Sequence, residues 1–557
     1  MDAYSMSFTS AARKASSKIY QDLNICRLRS ASPRKHLSTM ERISKGPGFR
    51  IGTLDPNSRP HIGIVGAGVA GLRCADVLLR NGFRVTILEA RSRVGGRIHQ
   101  ERLPNGHLID VGANWIHGTT DNPIMDLVRE TKTEVGVWDN RSYAFDEDGE
   151  LLPLEESEKY STLMWDIIAD AFEYSNKHGS EIHPDKTLFD FFQEQVPVRI
   201  PDSEEGYERK RRILLQMAEL WGNFVGSPLS QQSLKFFWLE ECIEGENLFC
   251  AGTYHKVLQK VAQPAVDGAD IRYQTKVVEI HGKSTSHNGL VRVRTSQDQV
   301  LEFDQLVVTA PLGWLKQNFH AFSPPFPDRL CKAIQNIGYG SLEKIYLTFP
   351  TAFWLPKSKH DQQDGGNGVA DTRAGIQGFC QWLAPAYAPD TNPSRWLTEA
   401  VELGSLGPSV GHPTLLFYTF ADQSRHLTST LRSLPTQKAR DAFVFGHLRP
   451  YYSRLPHYDP HDPACQPTAF FATDWLGDEL AGNGSYSNFP RGLREGDVDV
   501  VAMRDGVPEE GVWLAGEHTA PFVALGTVTG AYWSGEEVAR RVGEGYGVGV
   551  GAVAAGV

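Results

Sequence analysis

Short apolar runs ending in glycine-rich turns alternate along this chain with longer stretches whose apolar residues recur at helical spacing. Ile62 to Val65 is apolar and too short for a helix, and it stops at Gly66-Ala67-Gly68-Val69-Ala70-Gly71. Val69 to Leu79 carries apolar positions three and four apart and predicts a helix closed by Asn81-Gly82. Phe83 to Leu88 predicts a second buried strand. Gly106 to Val111 then predicts an edge hairpin, and Glu158 to Tyr174 and Tyr207 to Asn223 predict chemically quiet helices. A helix over Gly252 to Ala262 is followed by alternating, strand-like stretches at Arg272 to Ile280 and Val291 to Thr295. Leu306 to Thr309 is a short buried strand stopped by Ala310-Pro311-Leu312-Gly313. In Ile337 to Phe349 a turn enters a strand, and Lys344, Tyr346 and Thr348 alternate with Ile345, Leu347 and Phe349. Residues 356 to 412, rich in Gly, Pro, Asp and Asn around an apolar patch at Phe379 to Ala384, read as surface excursions before a buried strand at Leu415 to Ala421. The C-terminal part offers a strand at Val512, a Gly516-Glu517 turn and a helix from Tyr532 to Val542. A Gly, Val and Ala tail follows and is expected to be disordered.

The order strand, Gly-x-Gly-x-x-Gly, helix, strand is the context that gives this glycine pattern a dinucleotide meaning. Gly66 suits the tight turn, Gly68 the close approach of a pyrophosphate, and Gly71 the packing of helix on sheet. Glu89 closes the second strand 18 residues after Gly71, where a carboxylate accepts from a ribose and repels a 2′-phosphate. Val94-Gly95-Gly96-Arg97 adds a second glycine pair and an arginine able to pair with a diphosphate. Gly112-Ala113-Asn114-Trp115-Ile116-His117-Gly118 suits a loop lining a pocket, although a lone histidine such as His117 is more often structural. Lys344 is ordinary if its face of the strand meets solvent, and a candidate for proton handling if that face lines a cavity.

At 557 residues the chain exceeds one ordinary core, so about two or three domains are expected. Its formal charge of −11 argues against a nucleic-acid surface and permits a polycationic ligand. The acidic clusters Glu240-Glu241 and Glu244 to Glu246 are compatible with a cationic substrate, but charge runs are usually solvated faces and these receive no role. Seven scattered cysteines show no metal-ligand spacing and fit a reducing compartment, so no metal is expected. No apolar run reaches the roughly 18 to 20 residues of a transmembrane helix. Residues 1 to about 55, rich in Ser, Arg and Lys, suit a mitochondrial transit peptide and equally a disordered basic extension or a mis-assigned start upstream of Met40.

These motifs, in this order, resemble the flavin-dependent amine oxidases: monoamine oxidases, polyamine and spermine oxidases, and lysine-specific histone demethylases. The resemblance covers residues 58 to 542, and it also draws on Trp475, Gly484-Ser485-Tyr486-Ser487, Ala515-Gly516-Glu517 and Gly530-Ala531. It implies an α/β amine-oxidase fold with a discontinuous, Rossmann-like FAD-binding domain of the glutathione-reductase type, residues 58-157, 247-325 and 466-543. An α+β substrate domain with a mixed or antiparallel sheet would take residues 158-246 and 326-465, leaving a 1-57 extension and a 544-557 tail.

By the same resemblance Gly66 to Gly71, Glu89, Ala90, Arg91, Gly95, Gly96 and Arg97 hold the ADP half of FAD, and the backbone of Val278 meets the adenine. Gly112, Ala113, Asn114 and Trp115 surround the flavin with Trp475, and Gly516, Glu517, Thr527 and Val528 take its ribityl and pyrimidine side. Monoamine oxidases attach the flavin to a cysteine in this region; none stands between Gly516 and Gly530, so the FAD is expected to be non-covalent. The implied reaction passes a hydride from the α-carbon of a neutral amine to flavin N5. The imine is hydrolysed to aldehyde and amine, and O2 becomes H2O2. Lys344 matches the lysine that acts on a water at N5, Tyr486 one wall of an aromatic sandwich, and His117 a histidine at the substrate tunnel. Thr527 stands where monoamine and plant polyamine oxidases carry a second aromatic, which favours a long polyamine (spermine, spermidine or an acetylated form) over an aryl monoamine. The absence of a long coiled-coil insertion weakens the demethylase reading. An oxidase of another amine metabolite, or a non-catalytic binding module on the flavoprotein fold, stays open. A monomer in the cytoplasm is expected, with mitochondria the alternative.

Overall fold

The computed structural model describes residues 51, 59–136, 138, 141–286, 288–356 and 375–548. The expectations for the N-terminal extension and for residues 549–557 therefore lie almost wholly outside the described residues.

A five-stranded parallel sheet collects segments from the whole chain, in the order Val512–Leu514, Gln305–Val308, His61–Val65, Arg84–Leu88 and Asp270–Arg272. His61–Val65 is central and packed on both faces, which is why it reads as an unbroken apolar run. The helix Val69–Arg80 leaves its end at Gly68, and the helices His255–Gly268 and Val528–Gly545 pack against it. Two glycines set how close these pieces lie. A Cβ on Gly71 would overlap the Gly66 carbonyl oxygen, and one on Gly535 would overlap the Ala70 carbonyl of the neighbouring helix.

A second, six-stranded sheet runs in the order Ala469–Ala472, Leu342–Thr348, Thr414–Phe420, Thr398–Glu402, Phe379–Trp382 and Ser142–Phe145, antiparallel except for the last pair. One face, with Ile345, Leu347, Phe417 and Trp382, packs on the helices Ala421–Ser433 and Gln437–Tyr452. On the other face Lys344, Tyr418, Glu399 and Gln381 follow one another across neighbouring strands. The helices Leu154–His178, Leu188–Arg199 and Tyr207–Ala218 share a separate core beyond this face.

Four expectations are corrected. Residues 356 to 412 are not all surface excursions, because Phe379–Trp382 and Thr398–Glu402 are buried strands; residues 357–374 lie outside the described residues. Arg272 to Ile280 is two strands in two sheets, and Gln274, at φ 53°, makes the turn between them. Strands 142–145 and 469–472, expected with the nucleotide side, belong to the six-stranded sheet. The tail begins later than expected, since the last helix runs to Gly545. Among the described residues no helix is long and apolar enough to cross a membrane.

Gly535→Ala tests the helix contact. Overpacking of this kind costs about 1 to 3 kcal/mol, so the thermal unfolding midpoint should fall; a midpoint equal to the parent's would mean that the two helices do not touch there.

Candidate active site

A continuous cavity of about 770 Å³ starts at the glycine-rich turn of the parallel sheet and ends under the six-stranded sheet. At its first end Gly66 has φ 102°, and a Cβ on Gly68 would meet nothing within 4 Å, so the turn opens directly onto the cavity. Gly68 caps the helix without a side chain, which leaves the N–H groups of the first turn, at Val69 and Ala70, facing the same space. Gly95 is tied to this turn by its N–H, which donates to the Ala67 carbonyl at 2.8 Å. Glu89 lines the cavity and accepts from the Ala67 N–H and the Arg91 N–H, each at 2.7 Å. Arg91 holds Asp478 through both carboxylate oxygens. This is a cradle for a diphosphate with an acidic group beside it, and a dinucleotide fits its donors.

Of the residues expected here, Gly66, Gly68, Val69, Ala70, Glu89 and Ala90 line the cavity, as do Arg91, Gly95, Gly96 and Arg97. Ala67 and Gly71 sit behind the wall and shape it. The wall beyond is made by Thr275, Lys276 and Val277; Val278 follows one residue later and is not part of it.

The middle of the cavity is closed by residues far apart in sequence. Arg97 donates to Glu517 at 3.1 Å and to the Ser485 carbonyl at 2.7 Å. Burial pushes the Glu517 carboxyl up, but Arg97, His518 and the Ser487 hydroxyl outweigh it and hold the group below its ordinary value. Gly112, Ala113, Asn114 and Trp115 form one wall, and Gly516, Thr527 and Val528 another. Thr527 also caps the last helix, accepting from the Gly530 N–H at 2.9 Å. Trp475 is fixed by its indole N–H on the Val111 carbonyl at 3.3 Å, and Tyr486 by its hydroxyl on the Phe224 carbonyl.

Lys344 faces the cavity, buried, with its ammonium on the Gly112 carbonyl and the Tyr418 ring 6.0 Å away. Burial lowers its pKa, and the nearby carboxylates of Asp110 and Glu343 only partly oppose this. His117 also lines the cavity, and burial lowers its pKa against the pull of its hydrogen bond to Asn247. Both groups are thus biased toward their neutral forms, which is the state that can take up a proton.

Trp221, Phe224, Phe379 and Tyr418 also line the cavity, with the acidic side chains of Glu240 and Glu399; Glu240 accepts from the Phe489 N–H at 3.3 Å, and Glu399 pairs across the sheet with Tyr418. Burial pushes Glu240 up to about 8 and Glu399 up to about 7. Sequence reasoning noted Glu240 only as part of a charge run and placed Glu399 among surface excursions.

The chain's relatives agree with this geometry. The family described as flavin containing amine oxidoreductase matches residues 69–543. A probable polyamine oxidase 4 of Arabidopsis thaliana is 30% identical over 54% of this chain and 60% of its own length. Polyamine oxidase 2 of the same plant is 26% identical over 90% of this chain and 92% of its own. A solved structure of a putrescine oxidase double mutant, redesigned for cofactor binding, covers 87% of this chain at a TM-score of 0.59 and 18% identity, a likeness of fold. The chain belongs to the flavin containing amine oxidoreductase family, and it is an oxidoreductase with a flavin cofactor.

Proposed function

We propose that this enzyme oxidises a polyamine, such as spermine, spermidine or an acetylated form, with non-covalent FAD and O2. The observation that carries the reading is the continuity of the cavity, which joins the diphosphate cradle to a chamber holding Lys344, Trp475 and Tyr486. The names of the relatives and the acidic Glu399 on the cavity wall near Lys344 support the polyamine class. We assign the flavin side to the parallel-sheet segments within 58-157, 247-325 and 466-543. We place the reaction in the cytoplasm and take one chain as the catalytic unit.

When bound, FAD would supply the acceptor for a hydride from the α-carbon of the amine and the two-electron chemistry by which O2 becomes H2O2. The residues do the rest. Gly66 to Ala70 and Arg97 bind the diphosphate, with Glu89 at the ribose. The rings of Tyr486 and Tyr418 offer faces that attract an amine carrying partial positive charge. Lys344, biased toward neutrality, holds a water and moves a proton at Nζ. His117 accepts a proton or hydrogen bond from the substrate nitrogen. The imine product takes up water and separates into aldehyde and amine.

The FAD-loaded enzyme should release H2O2 from at least one member of a panel of spermine, spermidine and their acetylated forms; silence across the panel overturns the substrate class. Acid precipitation should leave the yellow colour in the supernatant, and a yellow pellet would mean a covalent flavin. Lys344→Met should keep FAD and slow flavin reduction or reoxidation by about 10² to 10⁴-fold, the span of general acid–base effects. Because burial lowers the Lys344 pKa, the neutral amine forms at a lower pH than in an ordinary lysine. The affected rate should therefore rise with pH through a limb below the usual lysine range, and stopped-flow pH profiles should show that limb vanish in Lys344→Met.

A further inference from the structure

Lys344, Tyr418, Glu399 and Gln381 stand in one row on the cavity face of the six-stranded sheet, each paired in register with the next. Lys344 and Glu399 are therefore two strand spacings apart, about 10 Å, with the Tyr418 side chain between them. Glu399 is 5% exposed and lines the cavity. Among the described residues it accepts only two hydrogen bonds, from the amides of Gln381 and Asn223, each at 3.2 Å. Its strand neighbour Glu402 shows what a structural carboxylate looks like here. It is fully buried and accepts from Trp138, Trp354, Gly378, Gly404 and Ser405.

A second observation points to a missing donor. Asn223, 7% exposed, also lines the cavity, and its Oδ1 has no hydrogen-bond partner among the described residues. A carboxylate with unused lone pairs and an orphaned amide oxygen make an acceptor set that lacks its donors. Phe379 and Trp115, stacked with centroids 5.9 Å apart, add ring faces to the same wall.

We propose that Glu399 and the Oδ1 of Asn223 anchor a second ammonium group of the substrate while the nitrogen to be oxidised lies near Lys344. The site takes an alkylammonium separated from the reacting amine by several methylene groups, so it selects diamines and polyamines against monoamines of equal length. The raised pKa of Glu399 agrees with a carboxylate whose cation arrives with the substrate. The inference rests on the amine-oxidase reading of the chamber and adds to it the residues that count the charges.

The test uses the FAD-loaded enzyme reduced under anaerobic conditions, which binds amines without turning them over. Calorimetric titration with 1,8-diaminooctane and with octylamine should show the diamine bound more tightly. In Glu399→Gln that preference should shrink by at least about tenfold, the scale of a lost charge-assisted hydrogen bond. Asn223→Ser should shrink it in the same direction, and it decides the matter alone if Glu399→Gln loses its flavin. Steady-state assays should show the loss in KM for the diamine more than in kcat. A preference unchanged in both variants overturns the proposal; it would mean that Glu399 serves the fold or is neutralised by Arg141, which lines the same cavity. The polyamine reading is separately at risk: a parent enzyme that releases no H2O2 from any polyamine refutes that reading, while the binding preference still decides Glu399.

Discussion

The inner chamber depends on one carboxylate kept charged where solvent does not reach. Glu517 is 4% exposed, and it stays ionised because Arg97 and the Ser487 hydroxyl, at 2.5 Å, compensate its burial. Removing one partner of such a pair leaves an unpaired buried charge, at a cost of about 3 to 5 kcal/mol. The three residues come from opposite ends of the chain. Arg97 also reaches the Ser485 carbonyl, so the pair fixes the loop that presents Tyr486 against the wall formed by Gly112 and its neighbours. A chain that begins its nucleotide cradle near residue 66 can enclose a reacting centre only when this late segment returns.

The second sheet carries a different burden. Its strands have a core on one face and a cavity on the other, so nearly every residue of Leu342–Thr348 is shielded from water. An apolar face of this kind is stabilised by packing on two helices, and the opposite face tolerates Lys344, Glu399 and Gln381 because each finds a polar partner there. The polar row is thus paid for by the apolar one.

How much of this was readable in advance differs by kind of residue. The glycine cradle was legible because its demands are local: a left-handed turn at Gly66 and a close approach at Gly71 admit few other side chains. The parallel strands at 61–65, 84–88 and 305–308 were legible as short apolar runs. For Lys344 the sequence admits two readings, solvent or cavity, since alternation names a face without saying what covers it. Glu399, Gln381 and Asn223 were illegible for a related reason. Glu399 and Gln381 lie in short strands amid Gly-, Pro- and Asp-rich sequence and Asn223 in the one-turn helix Gly222–Val225, and the contact that joins Asn223 to Glu399 spans distant parts of the chain. The break at Gln274 was hidden because two strands in different sheets, joined by a four-residue crossing, alternate as one would.

The register of Leu342–Thr348 against Thr414–Phe420 has a consequence for how this enzyme can change. Side chains on a strand alternate with a period of two, so a slip of one residue would hand the chamber Ile345 and bury the lysine's charge among Leu415, Phe417 and the two covering helices. Insertions and deletions are therefore free to accumulate in the connections between these strands, while within them a single residue gained or lost erases the chemistry and the core together. Hydrogen-bond register, here, is inherited as strictly as any active-site side chain.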